Sequence, residues 1–222
     1  MSAEDRYKQL HDAVLNMDIA GVPDLVKAGL AEDLRPADLL TRGLSAGMQT
    51  VGEQFRDGTV FMPEVLVACD AYYAGLQVLK PLLDADKYII PKGKMVLGTI
   101  FGDIHTVGKD VAVPVFRAAG FDVIDLGIDV PDEKFVEAVR EHQPDLVGLG
   151  TYMTATFMHT RQTVEALKKA GLREQVKVIC GGPAVDARTA KTLGADDASD
   201  NAWEAVGKME ALVAELKHER GR

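Results

Sequence analysis

Met95-Val96-Leu97-Gly98-Thr99-Ile100, running on through Phe101 into Gly102-Asp103-Ile104-His105-Thr106-Val107-Gly108-Lys109, decides how this chain is read. The first six residues are an apolar run of strand length, as expected of a strand buried on both faces. Asp110-Val111-Ala112-Val113-Pro114-Val115-Phe116 then leads a helix expected over Asp110–Ala119 and stopped by Gly120. Between them lies a loop with an aspartate, a histidine two residues later and a glycine three after that. A strand, a polar loop and a helix make the opening unit of a parallel α/β sheet.

Downstream the unit repeats. Strands are expected over Phe121–Gly127, Asp145–Gly150 and Lys177–Gly182, with a short fifth at Asp196–Ser199. Pro131-Asp132-Glu133 opens a helix carrying Phe135, Val136 and Val139, with proline and acidic residues where a helix N-terminus prefers them. Another helix is expected around Met158–Ala170, stopped by Gly171, and a last one from Asn201 to Lys217 with Trp203, Val206, Met209 and Val213 at apolar spacing. Right-handed crossovers leave few topologies for five such strands, and the flavodoxin-like order 2-1-3-4-5 is the expected one. Ligands bind such sheets beyond the strand carboxyl ends, at the switch point between the first and third strands. Asp103–Gly108, Thr151–Thr156 and Gly181-Gly182 all fall at strand carboxyl ends and therefore converge.

Upstream, every segment from Met1 to about Ile90 reads as helix. Leu10, Val14 and Met17 recur at helical spacing, and Asp18 is placed to cap a second helix with Val22, Leu25, Val26 and Leu30. Pro36 suits a first turn, after which Leu40, Leu44, Met48, Val51 and Phe55 define one face up to the Asp57-Gly58 stop. Pro63 opens a further helix with Leu66, Cys69, Tyr73 and Leu76 on one side. Phe61-Met62-Pro63 sets apolar residues on an interhelix turn, where they are free to close over a ligand. Lys87–Lys94, broken by Pro91 and Gly93, reads as a linker. The expected organisation is α/β: an N-terminal helical bundle over 1–90, then a Rossmann-like (flavodoxin-like) parallel five-stranded sheet over 91–222.

The formal charge of −9, with no dense Lys/Arg run, argues against nucleic acid as a partner. No apolar run approaches the ~20 residues of a membrane span. Met1–Arg6 lacks a basic-then-apolar leader, so a cytoplasmic location is expected. Cys69 and Cys180 read as small buried side chains in a reducing compartment.

His105 offers an imidazole nitrogen to a borderline transition metal, and Asp103 is placed to accept a hydrogen bond from the other ring nitrogen. One protein ligand is too few for a bare zinc or iron ion. It suffices for a metal whose other ligands come from a macrocycle. Gly148, Gly150, Gly181 and Gly182 let a bulky group approach the strand ends, with the hydroxyls of Thr151, Thr154 and Thr156 nearby.

With D-x-H-x-x-G standing as Asp103, His105 and Gly108, a Gly181-Gly182 pair at the fourth strand and a helical domain in front, the whole chain resembles the corrinoid proteins of anaerobic methyltransferase systems. Those are similar in turn to the cobalamin-binding module of methionine synthase. The resemblance implies a cobalamin cofactor, a cobalt corrinoid that is methylcobalamin when loaded. It implies His105 as the cobalt ligand in place of the cofactor's own lower base, with Asp103 its partner, and these two as the catalytic pair. Gly102, Asp103, Ile104, His105, Thr106, Val107, Gly108, Gly150 and Thr151 would bind the cofactor, with Gly181 and Gly182 lining the pocket for its nucleotide tail and Thr154 hydrogen-bonding there. Phe61, Met62 and Val65 would contact the upper face. Implied partners are a donor-specific methyltransferase, a tetrahydrofolate-type acceptor methyltransferase and a reductive activator, the chain not being catalytic alone.

One departure is visible: Gly150 stands where the family has a serine that extends the His–Asp relay, and its place is open to Thr151 or to a water molecule. A cobalamin-dependent sensor or regulatory module shares the same body but would want a DNA-binding part or basic surface. A receiver domain would want clustered acidic residues after the first strand, and a mutase subunit its barrel. Neither feature is present in this sequence.

Overall fold

A computed structural model of the chain describes residues 2–83 and 91–221, and it divides into two compact units, Met1–Ile90 and Pro91–Arg222. Lys87–Ile90 of the expected linker lie outside the described residues; Pro91–Lys94 lead into the first strand.

The first unit is helical. Helix α1 (Ala3–Leu15) opens on a capping box in which Ser2 Oγ accepts from the Asp5 N–H at 3.2 Å and Asp5 Oδ2 from the Ser2 N–H at 2.9 Å. Tyr7, Leu10 and Val14 are buried, but Met17 falls beyond the helix with φ +61°, so it does not continue that face. Helix α2 (Gly21–Ala31) starts where Asp18 Oδ1 accepts the Gly21 N–H at 2.9 Å, the cap expected of it. Pro36 begins the short α3 (Pro36–Asp38), which passes through a π-helical segment, Leu39–Ser45, into α4 (Ala46–Arg56).

That π segment corrects the expected register. Leu39 and Leu44, five residues apart, are both fully buried, whereas Leu40 is only partly so. The wider turn inserts one residue and rotates the preceding face by one position. Helix α5 (Met62–Leu83) is likewise turned: Val65, Ala68, Cys69, Tyr72 and Leu79 face inward, while Leu66, Tyr73 and Leu76 are half-buried. The helix is apolar over more than one stripe, so spacing alone does not select the buried side.

In the second unit, β1 (Lys94–Thr99), β2 (Asp122–Asp125), β3 (Leu146–Gly150), β4 (Lys177–Gly181) and β5 (Asp197–Ser199) form one parallel sheet in the order β2-β1-β3-β4-β5, as expected. Helices α6 (Val107–Ala118), α7 (Asp132–His142), α8 (Met158–Lys169), α9 (Ala187–Leu193) and α10 (Ala202–Arg220) cover it. Helix α9 has no counterpart in the sequence reading, although Asp186 caps it through the Thr189 N–H at 2.7 Å and Gly194 closes it at φ +91°. Helices α6 and α10 pack together, as do α7, α8 and α9.

Strand residues alternate between the two layers. Val96, Val147, Leu149 and Val178 join Phe135 of α7 and Leu167 of α8 in one dry core. Phe135 is fully buried, so Phe135→Ala should lower the stability of this unit by about 3–5 kcal/mol. Chemical denaturation followed by circular dichroism checks this; a midpoint equal to that of the parent would deny Phe135 its place in the core.

Candidate functional site

The opposite layer of the sheet ends in glycines. Gly148 and Gly150 are two apart on β3 and share a face, and Gly150 pairs in register with Thr99 of β1 and Gly181 of β4. With no side chains there, a cavity of about 340 Å³ opens between the strand ends and helices α6 and α10. Met95 and Leu97 of β1, Ile179 of β4, Ala112 and Phe116 of α6, and Ala202 of α10 line it. It is mainly apolar, and the loop that carries His105 lines it through His105, Thr106, Val107 and Gly108.

After β1 the chain turns through Phe101 and Gly102. The Gly102 N–H donates to Asp129 Oδ1 at 2.7 Å, the Asp103 N–H to the Ile100 carbonyl at 3.1 Å, and the Asp129 N–H to the Asp103 carbonyl at 3.1 Å. Those bonds drive the Asp103 side chain inward, where it has no exposed surface. Its Oδ1 accepts from the His105 backbone N–H at 3.1 Å and lies 2.7 Å from His105 Nδ1. Its Oδ2 accepts from the Tyr152 N–H at 2.8 Å, the Met153 N–H at 3.2 Å and Thr156 Oγ1 at 3.5 Å. Burial raises the carboxyl's pKa, but these donations, first from Tyr152 and then from His105, outweigh it and hold the group below the usual carboxylate range. A buried carboxylate that accepts a hydrogen bond from Nδ1–H leaves the lone pair on Nε2, and the His105 side chain is 52% exposed.

The loops and helix starts that follow β1, β2 and β3 also present apolar side chains to solvent. Ile104 is 70% exposed, and Phe101, Val107, Ile128, Met153 and Met158 are exposed as well. Phe101 packs edge-on to His159 at 5.3 Å. Of these only Ile104 and Val107 stand among the expected site residues. The others carried a readable signal: large apolar residues on loops at strand carboxyl ends, where no element of their own buries them.

Of the loop, His105, Thr106, Val107 and Gly108 line the glycine-walled cavity, as do Gly150, Gly181 and Gly182, whereas Gly102, the buried Asp103 and the exposed Ile104 stand outside its lining. Gly182 has φ +98°, and a Cβ there would lie 2.5 Å from the Thr151 carbonyl oxygen, so both backbone and space demand glycine.

Two threonines correct the expectation. Thr151 is fully buried: its Oγ1 bonds Thr160 Oγ1 at 3.0 Å and the Leu149 carbonyl at 3.3 Å, its N–H donates to Gly181 and its carbonyl accepts from Ala184. It neither lines the cavity nor stands in for the serine, because its side chain points into the opposite layer. Thr154 is exposed on the β3–α8 loop, outside the cavity wall. The carboxylate's third side is met by the amides of Tyr152 and Met153, an interaction that carries no side-chain signature in a sequence. In the helical unit Phe61 is exposed and Met62 partly so, whereas Val65 is fully buried on α5.

Lys109 is buried and paired with Asp125 at 2.7 Å and Asp110 at 3.1 Å; burial lowers its pKa, but the two carboxylates raise it overall, so it is a structural cation. Burial pushes the Cys69 and Cys180 thiols up to about 12, leaving both as neutral side chains.

Among the described residues no three His, Cys, Asp or Glu side chains gather to hold a bare ion. The donor set is one exposed imidazole, backed by a buried carboxylate, within an apolar rim and next to an apolar cleft walled by glycine. Such a set fits a flat metal-bearing macrocycle with a long appendage, and the fold and site together define a domain for a group of that kind.

Comparison with known proteins narrows the class. Residues 93–215 match a model described as a B12 binding domain, and residues 6–80 match a second one of the same description. The chain belongs to the B12-binding family, and its cofactor is a corrinoid. It is 38% identical to trimethylamine corrinoid protein 1 of Methanosarcina acetivorans, over 96% of this chain and 99% of that protein. It is 39% identical to dimethylamine corrinoid protein 1 of the same organism, over 96% and 100%. Among solved structures, a cobalamin-binding protein of Desulfitobacterium hafniense matches with a TM-score of 0.74 and 33% identity, over 96% of this chain and 98% of that one. The methanol:cobalamin methyltransferase complex MtaBC of Methanosarcina barkeri matches with a TM-score of 0.83 and 26% identity, over 95% and 80%. No described helix is long and apolar enough to cross a membrane.

Proposed function

We propose that this protein is the methyl-carrying corrinoid subunit of a methylamine-type methyltransferase system, with His105 Nε2 as the lower ligand of cobalt and the cofactor's own base displaced. The Asp103–His105 contact at 2.7 Å carries the reading, because it commits Nδ1 to the protein and leaves Nε2 as the exposed donor. When bound, the corrinoid's cobalt supplies a centre able to accept and give up a methyl group. The chain's own residues bind and orient. Asp103 fixes the imidazole ring and its tautomer, the apolar loops exclude water from around it, and the glycine-walled cleft receives the displaced tail. Phe61 and Met62 are the residues of the helical unit that would contact the corrinoid.

The partners in this reading are a donor-specific methyltransferase, a tetrahydrofolate-type acceptor methyltransferase and a reductive activator. A methylamine is favoured as donor because the relatives named for trimethylamine and dimethylamine are 38% and 39% identical, against 26% for the methanol complex. The test presents the reduced, cobalamin-reconstituted protein to trimethylamine, dimethylamine and methanol, each with its cognate methyltransferase. Methylation is followed by the visible spectrum. Methylation from an amine is expected; acceptance from methanol alone would reject the donor, and acceptance from none would favour a sensor.

A further inference from the structure

The ring of Tyr152 occupies the room that three glycines leave. A Cβ on Gly108, at the start of α6, would lie 2.5 Å from the Tyr152 ring, one on Gly182 2.9 Å from it, and one on Gly150 3.1 Å. These glycines come from three separate elements, and Gly108 sits within a helix, where glycine costs stability relative to alanine unless something must approach closely. The approaching group is Tyr152. The ring lines the cavity together with His105 and Phe116, and its centroid is 5.8 Å from that of His105 at a tilt of 34°. Its backbone N–H holds Asp103 at 2.8 Å, so the residue is anchored to the same carboxylate that orients the imidazole.

We infer that Tyr152 is a specificity-determining residue of the cavity, its ring forming an aromatic wall that recognises the planar heteroaromatic base at the end of a corrinoid's nucleotide tail. The inference rests on the corrinoid reading and adds to it a residue of this chain that no match assigns. Three observations select the ring. It stands next to His105, the proposed holder of the group, with the two ring centroids 5.8 Å apart. Its aromatic face is the chemistry that suits a flat, neutral base in an apolar cleft. It also fills the space beside Gly150, so the departure at 150 and the phenol at 152 are one coupled feature: a side chain at 150 and this ring compete for the same room. Burial keeps the phenol protonated, with its pKa pushed up to about 12, so the wall is uncharged.

The test compares two corrinoids that differ only in the appendage: cobalamin, which has the nucleotide tail, and cobinamide, which lacks it. Dissociation constants are measured by equilibrium dialysis for the full-length parent and for Tyr152→Ala, Tyr152→Leu and Tyr152→Phe. Tyr152→Ala and Tyr152→Leu should weaken cobalamin binding about three- to tenfold, the loss of one aromatic contact, and leave cobinamide within about twofold. Tyr152→Phe should match the parent for both. Leucine retains bulk in the cradle and phenylalanine retains the ring, so a folded variant is available whatever alanine does to the loop. Equal losses for both corrinoids would make Tyr152 a purely structural residue, and tighter cobalamin binding by Tyr152→Ala would make it an obstruction; either result overturns the inference. A parent that binds neither compound rejects the corrinoid reading itself, a result distinct from both.

Discussion

His105→Ala should yield a folded protein that no longer gives the spectrum of a histidine-ligated corrinoid. The side chain is 52% exposed and makes its recorded polar contact through one nitrogen, so its loss costs the apoprotein only about 1 kcal/mol. Asp103 keeps the amides of Tyr152, Met153 and residue 105 as donors, because those belong to the backbone. Loss of a partner of a metal ligand typically costs about 10- to 100-fold in metal-group affinity, and loss of the ligand itself should reach at least the upper end of that range. Reconstitution with cobalamin, followed by a visible spectrum and a dialysis titration on parent and variant, measures both quantities. The expected pattern is a near-parental thermal midpoint beside an altered spectrum and a loss of about 100-fold or more in affinity. An unchanged spectrum would remove His105 from the cobalt.

How much of this site can be read in the sequence follows from what kind of contact each part makes. The His105 loop, the glycine pair after β4 and the strand order were legible, because they depend on residue type at fixed spacing and on the handedness of crossovers. Leu40 leaves the expected face for a physical reason: a π turn changes the period on which the reading of a helical face depends, and Leu39, not Leu40, is the fully buried residue. Thr151 marks a limit of such reading, because hydroxyl chemistry says nothing about which layer of the sheet a side chain enters; its Oγ1 is spent on Thr160 and Leu149. The partners of Asp103 Oδ2 are mostly amide groups, which every residue but proline carries, so no residue type could reveal them. Tyr152 was legible as a residue but not as a contact, since its cradle is assembled from positions 108, 150 and 182.

Asp103→Asn should be more damaging to the apoprotein than loss of the histidine, and nearly as damaging to the cofactor. The parent carboxylate accepts from the amides of His105, Tyr152 and Met153, from Thr156 Oγ1 and from His105 Nδ1, and an ionised carboxylate is an acceptor at both oxygens. Asparagine has one oxygen and one NH2. Its oxygen must face either the Tyr152 and Met153 amides or the His105 side, and the NH2 then opposes donors on the other. Two amides fixed by the β3–α8 loop cannot change their chemistry, whereas imidazole can change tautomer. The lower-energy arrangement therefore turns the oxygen toward Tyr152 and Met153 and the NH2 toward His105. The imidazole responds by accepting at Nδ1 and carrying its proton on Nε2, the atom needed as the metal donor. The backbone N–H of His105 is left facing an NH2 in a fully buried position, and a charge-assisted acceptor is lost. Together these should cost about 3 kcal/mol of stability. Chemical denaturation measures that loss, and nitrogen-15 chemical shifts of the His105 ring report the tautomer directly. Corrinoid affinity should fall about 10- to 100-fold although the imidazole is still present. An Asp103→Asn protein with parental stability and an unprotonated Nε2 would show that the carboxylate does not orient the ring.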